Sequence, residues 1–211
     1  MFKDRTDAGI QLAGKLQRFA KENVVVLAIP RGGLPLGAIV AKTLQAPLDV
    51  ALSKKIGHPH NKEFAIGAVS LDDIILSNLP QIDASYIARE TEHIRQKLRE
   101  RFDQYHKNSS PLDLRDKTVI IVDDGVATGN TIKITAQMVH KKQPKKVVVA
   151  IPVAPIGAIK SMEASKYIDK VIFLESPYNF RAVGQFYNDF KEISDETAVE
   201  LLETTRRGFN P

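Results

Sequence analysis

An α/β fold built around a central, mostly parallel sheet flanked by helices is what this chain predicts, and three observations carry the prediction. Runs of aliphatic, largely β-branched residues recur at 23–29, 47–53, 119–122, 146–152 and 170–174, as in strands buried on both faces. Segments with apolar residues at helical spacing separate most of them, and a strand, helix, strand, helix succession folds into a parallel sheet with right-handed crossovers. One run, Val119-Ile120-Ile121-Val122, ends abruptly in Asp123-Asp124-Gly125, and open α/β sheets hold their ligands at that carboxyl-terminal edge.

In chain order, residues 4–21 place Ile10, Leu12, Ala13, Leu16 and Phe19 at helical spacing, which predicts an amphipathic helix. Gly9 to Lys15 imitate a P-loop. No strand precedes Gly9, however, and Leu16 stands where a metal-binding Ser or Thr is required, so the stretch reads as helix. The strand at 23–29 ends in Pro30-Arg31-Gly32-Gly33 ahead of a helix at 36–44. Two glycines after an arginine leave the backbone open to a ligand, and the guanidinium offers a charged fork for phosphate oxygens; an ordinary strand-to-helix turn is the alternative. After the strand at 47–53, the segment 54–63 is basic, holds Gly57 and Pro59 and shows no periodicity, which predicts a mobile loop. His58 and His60 within it lack a third ligand and a rigid frame for a metal. Residues 64–69 and 72–77 read as a strand pair. A charged helix follows, from 83 or 85 to about 105, with Ile87, Ile94, Leu98 and Phe102 on one stripe. Residues 108–113 form a linker. Beyond the central motif come a helix at 156–164, between the last two strands, and a final helix at 194–204. The whole reads as one domain of residues 1–211, with a core at about 23–155 and a small hood from the N-terminal helix and about 165–211.

The composition narrows the function classes. Absence of cysteine from the 211 residues excludes disulfides and thiolate metal sites. No apolar run reaches membrane-spanning length and the N-terminus is charged, so a soluble, cytoplasmic protein with no membrane partner is expected. A net charge of +5, scattered among 25 acidic residues, does not favour a nucleic-acid partner and suits a very anionic small ligand equally well.

The central motif defines the candidate chemistry. Gly125, Val126, Ala127, Thr128, Gly129, Asn130 and Thr131 form a loop of mostly small residues running into a helix that starts near 128–131. Backbone N–H groups there make a cradle for a phosphate, with the Thr128 and Thr131 hydroxyls as further donors. The carboxylates of Asp123 and Asp124 would repel a phosphate, so they are expected to meet hydrogen-bond donors, and ribose hydroxyls fit. A ribose 5-phosphate is the ligand this describes; the alternative is an ordinary strand, Asp-Gly turn and capped helix.

The stretch Val119 to Thr131 resembles the phosphoribosyl-diphosphate (PRPP) signature of the type I phosphoribosyltransferases, and Ala127-Thr128-Gly129 is most similar to the adenine-type enzymes. The resemblance covers roughly residues 23–187. It implies transfer of the 5-phosphoribosyl group of PRPP to a small nitrogenous acceptor, a nucleobase above all, with release of diphosphate. It implies Mg²⁺ carried mainly by PRPP, with no dedicated protein metal ligand, and it allows a homodimer. Arg31, the amides of Gly32 and Gly33, and Lys54 and Lys55 in a flexible lid would stabilise diphosphate, while Asp123 and Asp124 would orient the ribose. A cis peptide is implied between Pro30 and Arg31. Phe180, in a hood segment like that of the hypoxanthine-guanine enzymes, would stack on the base, although an aromatic in such a loop also serves plain packing.

The departures bear on the acceptor. Hypoxanthine-guanine enzymes carry an acid in the phosphate loop where this chain has Ala127, and a base-selecting Lys where it has Val153 and Ala154. Glu63 is the candidate general base in an adenine-type scheme. A PRPP-sensing regulator or nucleic-acid-binding protein that kept the sugar-phosphate site without transfer is the rival expectation.

Overall fold

The computed structural model describes residues 1–76, 82–107 and 109–208, the Glu63 side chain excepted. Ser77 and Asn108, assigned above to a strand and a linker, lie outside the described residues. The chain divides into two compact units, Met1–Ala51 with Pro111–Pro211, and Leu52–Ser110.

The first unit is a five-stranded parallel sheet. Its strands are β1 (Val24–Ala28), β2 (Leu48–Val50), β6 (Thr118–Val122), β7 (Lys146–Val153) and β8 (Lys170–Glu175), in spatial order β2-β1-β6-β7-β8. β1 and β6 are buried at every position, which is why they read as unbroken Val/Ile runs without alternation. On one face, α4 (Asn130–Lys141) and α5 (Ile156–Glu163) set Ile132, Ala136, Ile159 and Met162 against Val25, Leu27, Val119, Ile121 and Val149. Helices α1 (Arg5–Leu16) and α2 (Gly33–Leu44) pack together and against the sheet, and α6 (Asp195–Arg207) packs on α2 and β2. Along the sheet the strand order reverses between β1 and β6, which is the switch point at which doubly wound sheets open a crevice beyond their carboxyl ends.

The P-loop lookalike is α1, as its spacing predicts: Gly9 lies so close to α2 that a Cβ there would stand 2.8 Å from Ile39 Cδ1. Residues 17–19 close the helix as a short 3₁₀ turn. α2 begins at Gly33, three residues before the expected start. Pro35 falls in its first turn, where the missing N–H has no intrahelical acceptor.

The second unit corrects the expected lid. Residues 54–63 are not a loop: β3 (Lys54–His58) pairs antiparallel with β4 (Asn61–Val69) across the two-residue turn Pro59-His60, and β5 (Ile74–Leu76) completes a three-stranded sheet. Register shifts on either side of Gly57 break the period-two alternation that would have marked the strand in sequence. The hairpin has a core of its own, Ile56 and Ile66 buried with Ile94 and Leu98 of α3 (Ala84–Tyr105), and the Tyr86 hydroxyl donates to the Gly57 carbonyl at 2.7 Å. Among the described residues, no helix is long and apolar enough to cross a membrane.

Candidate functional site

Two loops meet at the switch point. The one leaving β1 carries Pro30, Arg31, Gly32 and Gly33, with the Pro30–Arg31 peptide cis; the one leaving β6 carries Asp123 to Gly129. They are laced directly: Ile29 N–H donates to the Val122 carbonyl at 2.9 Å. The approach is too close for side chains. A Cβ on Gly33 would stand 2.5 Å from the Val122 carbonyl oxygen, and one on Gly32 would stand 2.1 Å from Asp124 Oδ2.

Beyond the acids the chain turns into α4. Gly129 is left-handed (φ 78°) at the helix N-cap, and the first bond back along the helix runs from Lys133 N–H to the Gly129 carbonyl at 2.9 Å. The amides of Asn130, Thr131 and Ile132 therefore precede the helical ladder, the arrangement that attracts anions. The Asn130 N–H donates to Thr128 Oγ1 at 3.5 Å, and Ala127, Thr128 and Asn130 are exposed. Two amides assigned above to ligand binding are committed elsewhere. Val126 is buried and its N–H donates to the Val153 carbonyl at 2.9 Å, tying the loop to β7, while the Gly33 N–H donates to the Ile29 carbonyl at 2.9 Å.

Asp123 and Asp124 are partly buried at the end of β6. Asp123 Oδ1 accepts the Asp124 N–H at 2.9 Å. Burial first, and then the neighbouring Asp124 charge, push the Asp123 carboxyl well above the usual carboxylate range. Burial raises Asp124 as well, opposed by a guanidinium that sequence reasoning did not single out: Arg5 Nε donates to Asp124 Oδ2 at 2.8 Å. Arg5 also donates to the Lys191 carbonyl at 2.7 Å and lies over the Phe190 ring, 3.8 Å from its centroid. Tyr187, buried, donates its hydroxyl to the Asp124 carbonyl at 2.5 Å, and burial raises its own phenol above the ordinary value. A parallel bridge between Phe2 and Tyr187 sews the N-terminus to this tail.

The remaining candidates divide between the two units. Arg31 pairs with Glu192 and stands 3.9 Å from Asp195 Oδ1, so the proposed phosphate fork faces two carboxylates of the tail. Phe180 stacks on Phe186 with centroids 5.3 Å apart, which gives it a packing partner. Lys54 and Lys55 are the first, exposed residues of β3 in the second unit. Glu63 lies in β4, and its side chain is outside the described residues. Among the described residues, no group of three or more His, Asp or Glu could hold a metal.

A doubly wound parallel sheet with two acids, an arginine and the opening amides of a helix at its switch point defines a class, the open α/β proteins whose sheets leave a crevice at that edge. The comparisons make this narrower. The sequence profile of the phosphoribosyl transferase domain matches residues 4–191, and the chain belongs to that family. Two Mycobacterium tuberculosis proteins, provisionally named phosphoribosyl transferases, are each 36% identical over 214 residues, covering 99% of this chain and 48% of their own length. The chain thus spans about half the length of the curated relatives it matches. The crystal structure of the Thermus thermophilus protein TT1426 matches with a TM-score of 0.87 at 39% identity, over 95% of this chain and 97% of that one. A Neisseria gonorrhoeae protein solved with bound ppGpp shares the fold at a TM-score of 0.51 and 16% identity, over 98% and 99% of the two chains.

Proposed function

We propose that this protein transfers the 5-phosphoribosyl group of PRPP to a small nitrogenous acceptor, releasing diphosphate. The observation that carries the reading is the convergence, at one switch point, of the Arg31-Gly32 turn, the acid pair and the amides at the start of α4 that precede its helical ladder. A 5-phosphate suits those amides and the Thr128 and Thr131 hydroxyls, while the diol of the sugar suits a carboxyl at Asp123. Arg31 serves the diphosphate once its contacts with Glu192 and Asp195 give way. Phe180 is the proposed partner of the base.

The site chemistry suits a metal that arrives with substrate. Asp124 is taken by Arg5 and no third acid stands with the pair among the described residues. Mg²⁺ bound to PRPP oxygens would neutralise the diphosphate. The protein's part is to hold the sugar in line with its acceptor and to set fixed charges where charge develops. Calorimetry with magnesium and PRPP, followed by diphosphate release against a panel of nucleobases, tests the reading. Binding with release for at least one base supports it, and no binding refutes it.

A further inference from the structure

Arg5 reaches across 119 residues of sequence to the acid pair, and its side chain is only 11% exposed there, with Asp124 at 13%. Three contacts fix the guanidinium: Asp124 Oδ2, the Lys191 carbonyl and the face of Phe190. A surface ion pair is held by little, but a pair this enclosed loses its value if either partner goes, because the other is left as a buried uncompensated charge. Asp124 is also held from its far sides. Its carboxylate lies against Gly32, its carbonyl accepts from Tyr187, and its N–H is taken by Asp123. Each of those neighbours is itself part of, or adjacent to, the proposed site.

From this geometry, and resting on the transfer reading above, we propose that Arg5 is a positioning residue: it fixes the Asp124 carboxylate as a wedge between the two ligand loops, leaving Asp123 as the acid that meets the ribose hydroxyls. The two aspartates then have different tasks although they are adjacent in sequence. Asp124 sets the distance between the Arg31-Gly32 turn and the α4 loop, and Asp123 touches the sugar. The N-terminal helix becomes a working part of the site through its first residue.

The charges facing Asp124 are Arg5 from α1 and Asp123 from its own strand end, with the Tyr187 phenol from the tail; the Arg31 guanidinium on the opposing loop is turned to Glu192 and Asp195. Replacing Arg5 by an uncharged residue removes the only cation among these that touches Asp124, so the carboxyl keeps its proton to higher pH.

The test compares PRPP affinity, measured by calorimetry with magnesium, for the wild-type protein, Arg5→Gln and Arg5→Lys at about pH 6 and about pH 9, with thermal unfolding as the folding control. Arg5→Gln should bind about tenfold or more weakly than wild type near pH 6, and the deficit should shrink about threefold or more by pH 9, as Asp124 ionises without help. Arg5→Lys keeps a cation in place, so its ratio to wild type should not change with pH. If wild type binds PRPP and Arg5→Gln stays within about twofold of it, or shows the same deficit at both pH values, the positioning role is overturned while the transfer reading stands. Should Arg5→Gln fail to fold, Arg5→Lys decides alone: a deficit that grows toward pH 6 overturns the proposal. A wild-type protein that does not bind PRPP overturns the transfer reading, and this one with it.

Discussion

Replacing Asp123 with Asn should make the protein more stable and less able to bind, and both effects follow from where the carboxyl sits. Its ordinary value is 3.8, and in the fold burial and the Asp124 charge hold it well above that. Between the two values the folded protein keeps a proton that the unfolded chain has released. Stability therefore falls as pH rises above about 4, with a slope of up to about 1.4 kcal/mol per pH unit for this group, until the folded carboxyl itself ionises. Asn keeps the Oδ1 that accepts the Asp124 N–H, at a similar volume, and carries no charge to desolvate. Each unit of displacement removed is then worth about 1.4 kcal/mol at pH 7, and about 1 kcal/mol moves the midpoint of a chain of this size by about 2–4 °C. Thermal unfolding of wild type and Asp123→Asn at pH 4 and pH 7 measures it. The gain should be about 2–4 °C or more at pH 7 and should shrink to a small part of that by pH 4, where the folded carboxyl is protonated and the unfolded one is near its own midpoint. PRPP affinity should be lost at the same time, a trade expected where a site stores unfavourable charge. A destabilised variant at pH 7, or an equal gain at both pH values, would show that the fold does not hold the Asp123 carboxyl above its ordinary value.

Other predictions follow from the same contacts. Gly32→Ala puts a methyl group 2.1 Å from Asp124 Oδ2; denaturant unfolding should show a loss of about 1–3 kcal/mol, together with weakened PRPP binding. Glu192→Gln frees Arg31 from an exposed partner, so calorimetric binding of inorganic diphosphate should tighten by about two- to fivefold, and less at high salt. Tyr187→Phe removes the hydroxyl that donates to the Asp124 carbonyl, and urea unfolding should register a loss of about 1 kcal/mol.

The sheet was legible because β1, β6 and β7 are covered on both sides and had to be written in Val, Ile and Ala with almost no polar interruption. The two ligand loops were legible for a related reason: abrupt Gly and Asp after such runs leave few other conformations. What could not be read is what touches those loops from far along the chain. Arg5, Tyr187 and Glu192 lie 119, 63 and 161 residues from the groups they bind, and each looks like an ordinary surface or tail residue until the chain has folded. The sequence likewise assigned two amides to the ligand that the fold spends internally, since a small residue in a loop does not say which way its N–H points. The supposed lid failed for a local cause, because the irregular register at Gly57 hides a hairpin whose alternation would otherwise show.

On the proposed reading, the switch-point crevice grips a sugar phosphate between the start of α4 and the acid pair. A crystal structure of the protein with magnesium and PRPP tests it most directly. The 5-phosphate should lie on the amides of Thr131 and Ile132 and the ribose hydroxyls within hydrogen-bond reach of Asp123. PRPP bound away from that crevice, or held there with its phosphate remote from α4, would contradict it.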